Sequence, residues 1–168
     1  MAENLPEPWL RGTPEGVHPL LAPVLFSFAQ AKEDLARFTG ELTGEQMWRR
    51  PGNTGAIGFH IRHIGGSVDR LLTYLEEREI SAGQLAALKA EGEPGASRDE
   101  LLTGLAAALA DAEARLRAID LSDPAAPRYV GRKRMPTSVI GLLVHIAEHT
   151  QRHVGQAVAT ARVVAAGL

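Results

Sequence analysis

The sequence predicts an all-α protein: a bundle built on four long helices with one or two short extra ones. Three observations carry this. Four long stretches repeat apolar residues at helical spacing, capping signals and Gly/Pro breaks fall between them, and no stretch alternates convincingly as a strand. At 168 residues the chain is long enough to bury a core without staples, so one domain is expected over 1–168, with 1–16 as an N-terminal arm rich in Pro and Gly.

The first helix is expected over about 17–39, where Leu21, Val24, Leu25, Phe28, Leu35 and Phe38 recur and Gly40 is a natural stop. "TGEQ" at 43–46 has capping-box form and starts a short turn before the break "RRPGNTG". A second helix is expected from about 55 to 79. Its Gly65–Gly66 pair is poor for helix stability and implies close approach of another backbone. "SAGQ" at 81–84 caps a short helix ending near "EGEPG", and "SRDE" at 97–100 opens the third long helix. Its inner face is read as Leu102, Leu105, Leu109, Ala112, Leu116 and Ile119. Residues 120–135 read as an irregular crossing. "PTS" at 136–138 then caps a fourth long helix that runs close to the C-terminus. The long links between the second and third and the third and fourth helices leave room for a crossover.

Composition narrows the function. There are no cysteines, which removes disulfides, thiolate zinc sites and a nucleophilic Cys, and fits a cytoplasmic setting. A formal net charge of −2 gives no global reason to expect nucleic acid or an anionic membrane as partner. No signal peptide and no membrane-spanning run is read in the sequence.

The chemistry lies in the histidines. Five of the six fall on two predicted helices: His60 and His63 on the second, and His145, His149 and His153 on the fourth. A step of four residues advances about 400°, so the last three lie along one drifting stripe. Leu142 and Ile146 lie on or beside it, which turns it toward the core. His149 and His153 stand one turn apart, a spacing at which two imidazoles can chelate one ion. One histidine from the second helix would complete a three-nitrogen site with open coordination positions, the catalytic pattern of metal sites. His145 could join them or sit behind. The competing reading is a hydrogen-bonded polar network in the core. His18, before Pro19, is read as structural.

"HIAEH" literally matches the inverted zinc-protease motif, but no acidic residue follows His149 to supply the further ligand. Serine-hydrolase, phosphate-loop and dinucleotide fingerprints are missing.

"IGFHIRHIGGSVDRLLTYL" on an early helix, paired with "LLVHIAEHTQRHVGQ" on the last, resembles the DinB/YfiT-like superfamily of metal-dependent enzymes. The family's early motif lands on His63 in "RHIG", and its late motif on His149 and His153 in "HTQRHVGQ", completed by Gly155 and Gln156. The resemblance spans about 18–160. It implies a four-helix bundle of up-down-down-up topology, often a homodimer, with a divalent metal, zinc or nickel, held by His63, His149 and His153. It also implies a small-molecule substrate and thiol-dependent transferase or amidase-like hydrolase chemistry.

This chain carries His60 and His145 in addition, both expected as auxiliary acid/base or substrate-contact residues. Gln156 is expected to hold a water or a neighbouring ligand, and Glu148, whose side chain points about 100° away from His149, to be a carboxylate behind the ligands or on the surface rather than a general base. Arg70 could bind a substrate carboxylate or form a salt bridge, with Ser67 on the same stripe. Arg128, Arg132, Lys133 and Arg134 could attract an anionic substrate such as a low-molecular-weight thiol. A non-catalytic metal-binding or stress-related helical protein is the alternative.

Overall fold

The computed structural model of the protein describes residues 6–167, so the first five residues of the expected arm lie outside the described part. Among the described residues 62% are helical, in six α-helices and one 3-10 turn, with one small two-stranded sheet. The four long helices are α1 (Ala22–Phe38), α3 (Ile57–Leu75), α5 (Arg98–Arg117) and α6 (Val139–Ala165). Two short ones, α2 (Gly44–Trp48) and α4 (Ala82–Ala90), fill the connections. No helix among the described residues is long and apolar enough to cross a membrane.

Most start signals act as read. Thr43 with Gln46, Ser81 with Gln84 and Ser97 with Glu100 each close a reciprocal capping box, and Ser138 Oγ accepts from Gly141 N at 3.1 Å to open α6. Three boundaries move. α1 begins at Ala22 and not near 17, because Pro19 biases His18 away from helical backbone; Leu21 N closes a turn on His18 O at 2.8 Å instead. α3 opens at Ile57, after Ala56 in extended backbone, and stops at Leu75, before Glu77 enters the left-handed region at φ 59°. On α5 the innermost first-turn residue is Leu101, while Leu102 and Ile119 are only half-buried. The buried line is thus Leu101, Leu105, Leu109, Ala112 and Leu116, a steadier helical stripe than the one expected.

The expectation of no strand is corrected. Within the segment read as an irregular crossing, β1 (Pro127–Val130) pairs antiparallel with β2 (Met135–Ser138), Pro127 facing Ser138. Gly131 at φ 72° and Arg134 at φ 47° make the turn between them.

Each long helix packs on two others: α1 on α5 and α6, and α3 on α5 and α6. Gln151 Nε2 donates to Ser27 O at 2.9 Å and Arg162 lies over the Phe38 ring, so α1 and α6 advance together. Gly65 faces Ala108 and Asp69 pairs with Arg115 at 2.6 Å, so α3 and α5 also advance together. A Cβ added at Gly65 would sit 3.2 Å from the Ala108 Cβ, which is the close helix contact the glycine permits. Phe28, Leu35, Ile57, Ile64, Leu109, Leu142 and Ile146 lie in the apolar interior between these helices.

Candidate metal centre

Helix α3 brings His60 and His63 against His153 and His149 of α6, in opposite chain order, so these two helices are antiparallel. His63, His149 and His153 each offer one nitrogen, and the three atoms lie within 4.8 Å of one another. His63 Nε2 is 3.0 Å from His149 Nε2. That separation is close to the edge of a tetrahedron built on metal–nitrogen bonds of about 2.0–2.1 Å, roughly 3.3 Å. The rings form a compact, mutually inclined group, with His63 and His153 centroids 4.4 Å apart and those of His149 and His153 4.6 Å apart.

The outward nitrogens are as informative as the inward ones. His63 Nδ1 is 2.7 Å from Glu91 Oε2, and the other oxygen of Glu91 accepts from Arg70 Nη1 at 2.8 Å. A carboxylate can only accept here, so His63 carries its hydrogen on Nδ1 and turns the Nε2 lone pair to the cluster. His153 Nδ1 lies 3.0 Å from His60 Nδ1, which leaves its Nε2 for the cluster. His149 Nδ1 is buried with no hydrogen-bond partner among the described residues. An unpartnered buried nitrogen is a destabilising feature, and here it belongs to a ring whose other nitrogen faces two imidazoles. This donor set, three convergent imidazoles with two rings tethered from behind, is compatible with a divalent metal ion.

Electrostatics point the same way. Burial, assisted by neighbouring histidines, pushes His60, His149 and His153 down to about 4, so all three are neutral at pH 7. Burial pushes Glu91 upward, but hydrogen bonds with His63 and Arg70 outweigh it and hold the carboxyl below its ordinary value. Two of the three convergent imidazoles, His149 and His153, are thus deprotonated in advance, as a cation requires.

The structure distributes the other expected residues clearly. His60 is buried against His153, beside the cluster. His145 is half-exposed at the rim, its ring 5.4 Å from His149 and its Nδ1 3.9 Å from Glu148. Glu148 is equally open and is held by Arg152 along α6, a surface carboxylate and not a group aimed at the histidines. Arg70 is the partner of Glu91, which decides for the salt bridge over a substrate contact. Ser67 donates to Ile64 O within α3 and takes no part. Gln156 is exposed on α6, one turn beyond His153.

The basic cluster does not reach the site. Arg128 Nε donates to Leu75 O at 2.7 Å, at the far end of α3. Leu75 is fifteen residues beyond His60, about 22 Å along the helix at 1.5 Å per residue. Glu91 is the functional residue that sequence reading missed. Its one signal was Gly66: a Cβ there would lie 2.4 Å from Glu91 Oε1, so the glycine makes room for a carboxylate and not for a backbone.

Three convergent imidazoles drawn from two antiparallel helices and backed by a buried carboxylate form a group that could hold a divalent metal ion. The model of the DinB superfamily matches residues 27–157, and the chain belongs to that superfamily. Comparison with curated proteins gives no match.

Proposed function

We propose that the protein is a metal-dependent enzyme of transferase or hydrolase type acting on a small molecule. Its divalent ion, zinc or alternatively nickel, is held by His63, His149 and His153. The single observation that carries this reading is the convergence of three lone-pair nitrogens with Nδ1 of His63 tied to buried Glu91. The four long helices are read as an up-down-down-up bundle. The parallel pairings of α1 with α6 and α3 with α5, and the antiparallel pairing of α3 with α6, support it.

A divalent ion bound there supplies Lewis acidity, able to bring a water or thiol that reaches it toward ionisation near neutral pH. The chain's own groups do the rest. Glu91 fixes the tautomer and direction of His63, and Arg70 keeps Glu91 ionised. Phe59 stacks on His63 with centroids 5.3 Å apart and screens that face from water. His60 and His145 stand on either side of the three, His60 buried and His145 solvent-facing, as the auxiliary acid/base or substrate-contact groups of this reading. Among the described residues no fourth protein donor joins the three, which favours an open catalytic position over a closed structural sphere.

Metal content tests this reading. Tag-free protein, purified without a nickel column, is compared with a His149→Ala/His153→Ala variant by elemental analysis. About one divalent ion per chain in the parent and none in the variant is expected. No metal in the parent after incubation with zinc would leave the histidines as a polar network.

A further inference from the structure

His60 has a second nitrogen, and it faces away from the cluster. A Cβ placed on Gly55 would lie 2.7 Å from His60 Nε2, so this nitrogen sits against the loop that precedes α3. Gly55 and His60 both line a cavity of about 660 Å³ between that loop and the last turns of α6. The volume suits a small organic molecule. Pro51, Ala159 and Val163 supply apolar walls and Asn53, Thr54, Gln156 and Thr160 polar ones; among the described residues no Asp, Glu, Lys or Arg lines it. The loop is tied down: Arg50 Nε donates to Thr54 O at 3.0 Å and Thr54 Oγ1 to Pro51 O at 2.9 Å. The wall is therefore largely formed in advance.

Hydrogen-bond logic assigns the role of His60. With the His153 Nε2 lone pair turned to the cluster, Nδ1 of His153 carries the hydrogen and donates to His60 Nδ1. The hydrogen of His60 then resides on Nε2, where among the described residues it has no acceptor. We propose that the cavity beside His60 binds an uncharged, mainly apolar group bearing a carbonyl oxygen, such as an amide, with His60 Nε2–H donating to that oxygen. Its service as the substrate pocket rests on the metal-enzyme reading above. This replaces the anionic substrate expected from the arginine cluster, since the cationic groups lie at the other end of α3 and the cavity offers none. Burying a carboxylate against such a wall leaves its charge unpaired, which disfavours it strongly.

Benzamide and benzoate share a ring and differ in charge, so they make the test. Each is titrated into the full chain, once incubated with zinc and once stripped with chelator, while NMR follows the imidazole nitrogens. Metal content is measured on the same samples. Benzamide is expected to bind at least about tenfold more tightly than benzoate and to shift His60 Nε2. Ala159→Phe, an exposed position that fills the cavity, is expected to weaken benzamide by about tenfold with metal content unchanged. Benzoate binding as well as benzamide, no binding of benzamide, or binding that leaves His60 unmoved would each overturn the proposal. Benzamide binding with His60 shifted in a protein that takes up no zinc would support the cavity while removing the metal reading.

Discussion

Two of the three convergent histidines are tethered from behind, and the two tethers differ in kind. His63 is held by Glu91, a buried carboxylate itself locked by Arg70, whereas His153 is held by His60, a neutral imidazole. The carboxylate adds charge and dictates which nitrogen of His63 carries the hydrogen. The imidazole adds direction only, and it passes a hydrogen-bond donor onward to the neighbouring cavity. His149 has no tether among the described residues. On the proposed metal reading, one side of the site is suited to fixed coordination and the other to communication with the space beside it. His63, with the buried ion pair behind it, is on that reading the anchor of the centre.

The largest effect expected from this asymmetry follows removal of the carboxylate. Glu91→Ala leaves Arg70 buried without its partner, and stability should fall by about 3–5 kcal/mol in denaturant unfolding. Glu91→Gln keeps the shape and removes the charge. Zinc affinity by competition titration should then drop by about 10–100-fold, with the helical spectrum preserved. Gly66→Ala should act through the same carboxylate, because its Cβ would fall 2.4 Å from Glu91 Oε1 and displace it; a loss of affinity smaller than that of Glu91→Gln, about tenfold or less, is expected. His60→Ala should weaken zinc least, by a few-fold, since it removes a neutral tether. A larger loss for His60→Ala than for Glu91→Gln would reverse the ranking and place the anchor on α6.

The same contrast sets a pH dependence. His60, His149 and His153 sit near 4 in the folded chain against 6.5 when unfolded, so between these values the unfolded chain binds more protons. The metal-free protein should therefore keep a level melting temperature above about pH 6.5 and lose stability as pH falls from there toward 4. Stability rising on acidification through this window would mean that the buried imidazoles gain charge partners that the structure does not contain.

Much of this arrangement was legible in the sequence because it follows helical periodicity. Positions 149 and 153 are one turn apart on α6 and 60 and 63 on α3, so their shared faces are a matter of local geometry. Capping boxes located the starts of α2, α4 and α5 for the same reason. What escaped was long-range or short. Glu91 ends a helix with no buried residue and meets His63 across 28 positions of chain, so no periodic pattern marks it. The hairpin strands are four residues each, and β2 contains Pro136 and no apolar alternation. Arg128 precedes α6 in sequence but bonds to the end of α3, and only the hairpin places it there. On α5 the strict 3-4 spacing put Leu102 and Ile119 at the ends of the inner face, whereas the buried first-turn residue is Leu101, one position and about 100° away.

The central claim is that His63, His149 and His153 are ligands of one ion and that His60 and His145 are not. X-ray absorption at the zinc edge of zinc-loaded protein tests it most directly. Three imidazole nitrogens at about 2.0–2.1 Å with one further light atom are predicted, and His60→Ala and His145→Ala should leave the spectrum unchanged. A fourth imidazole in the parent spectrum, lost in either variant, would contradict it.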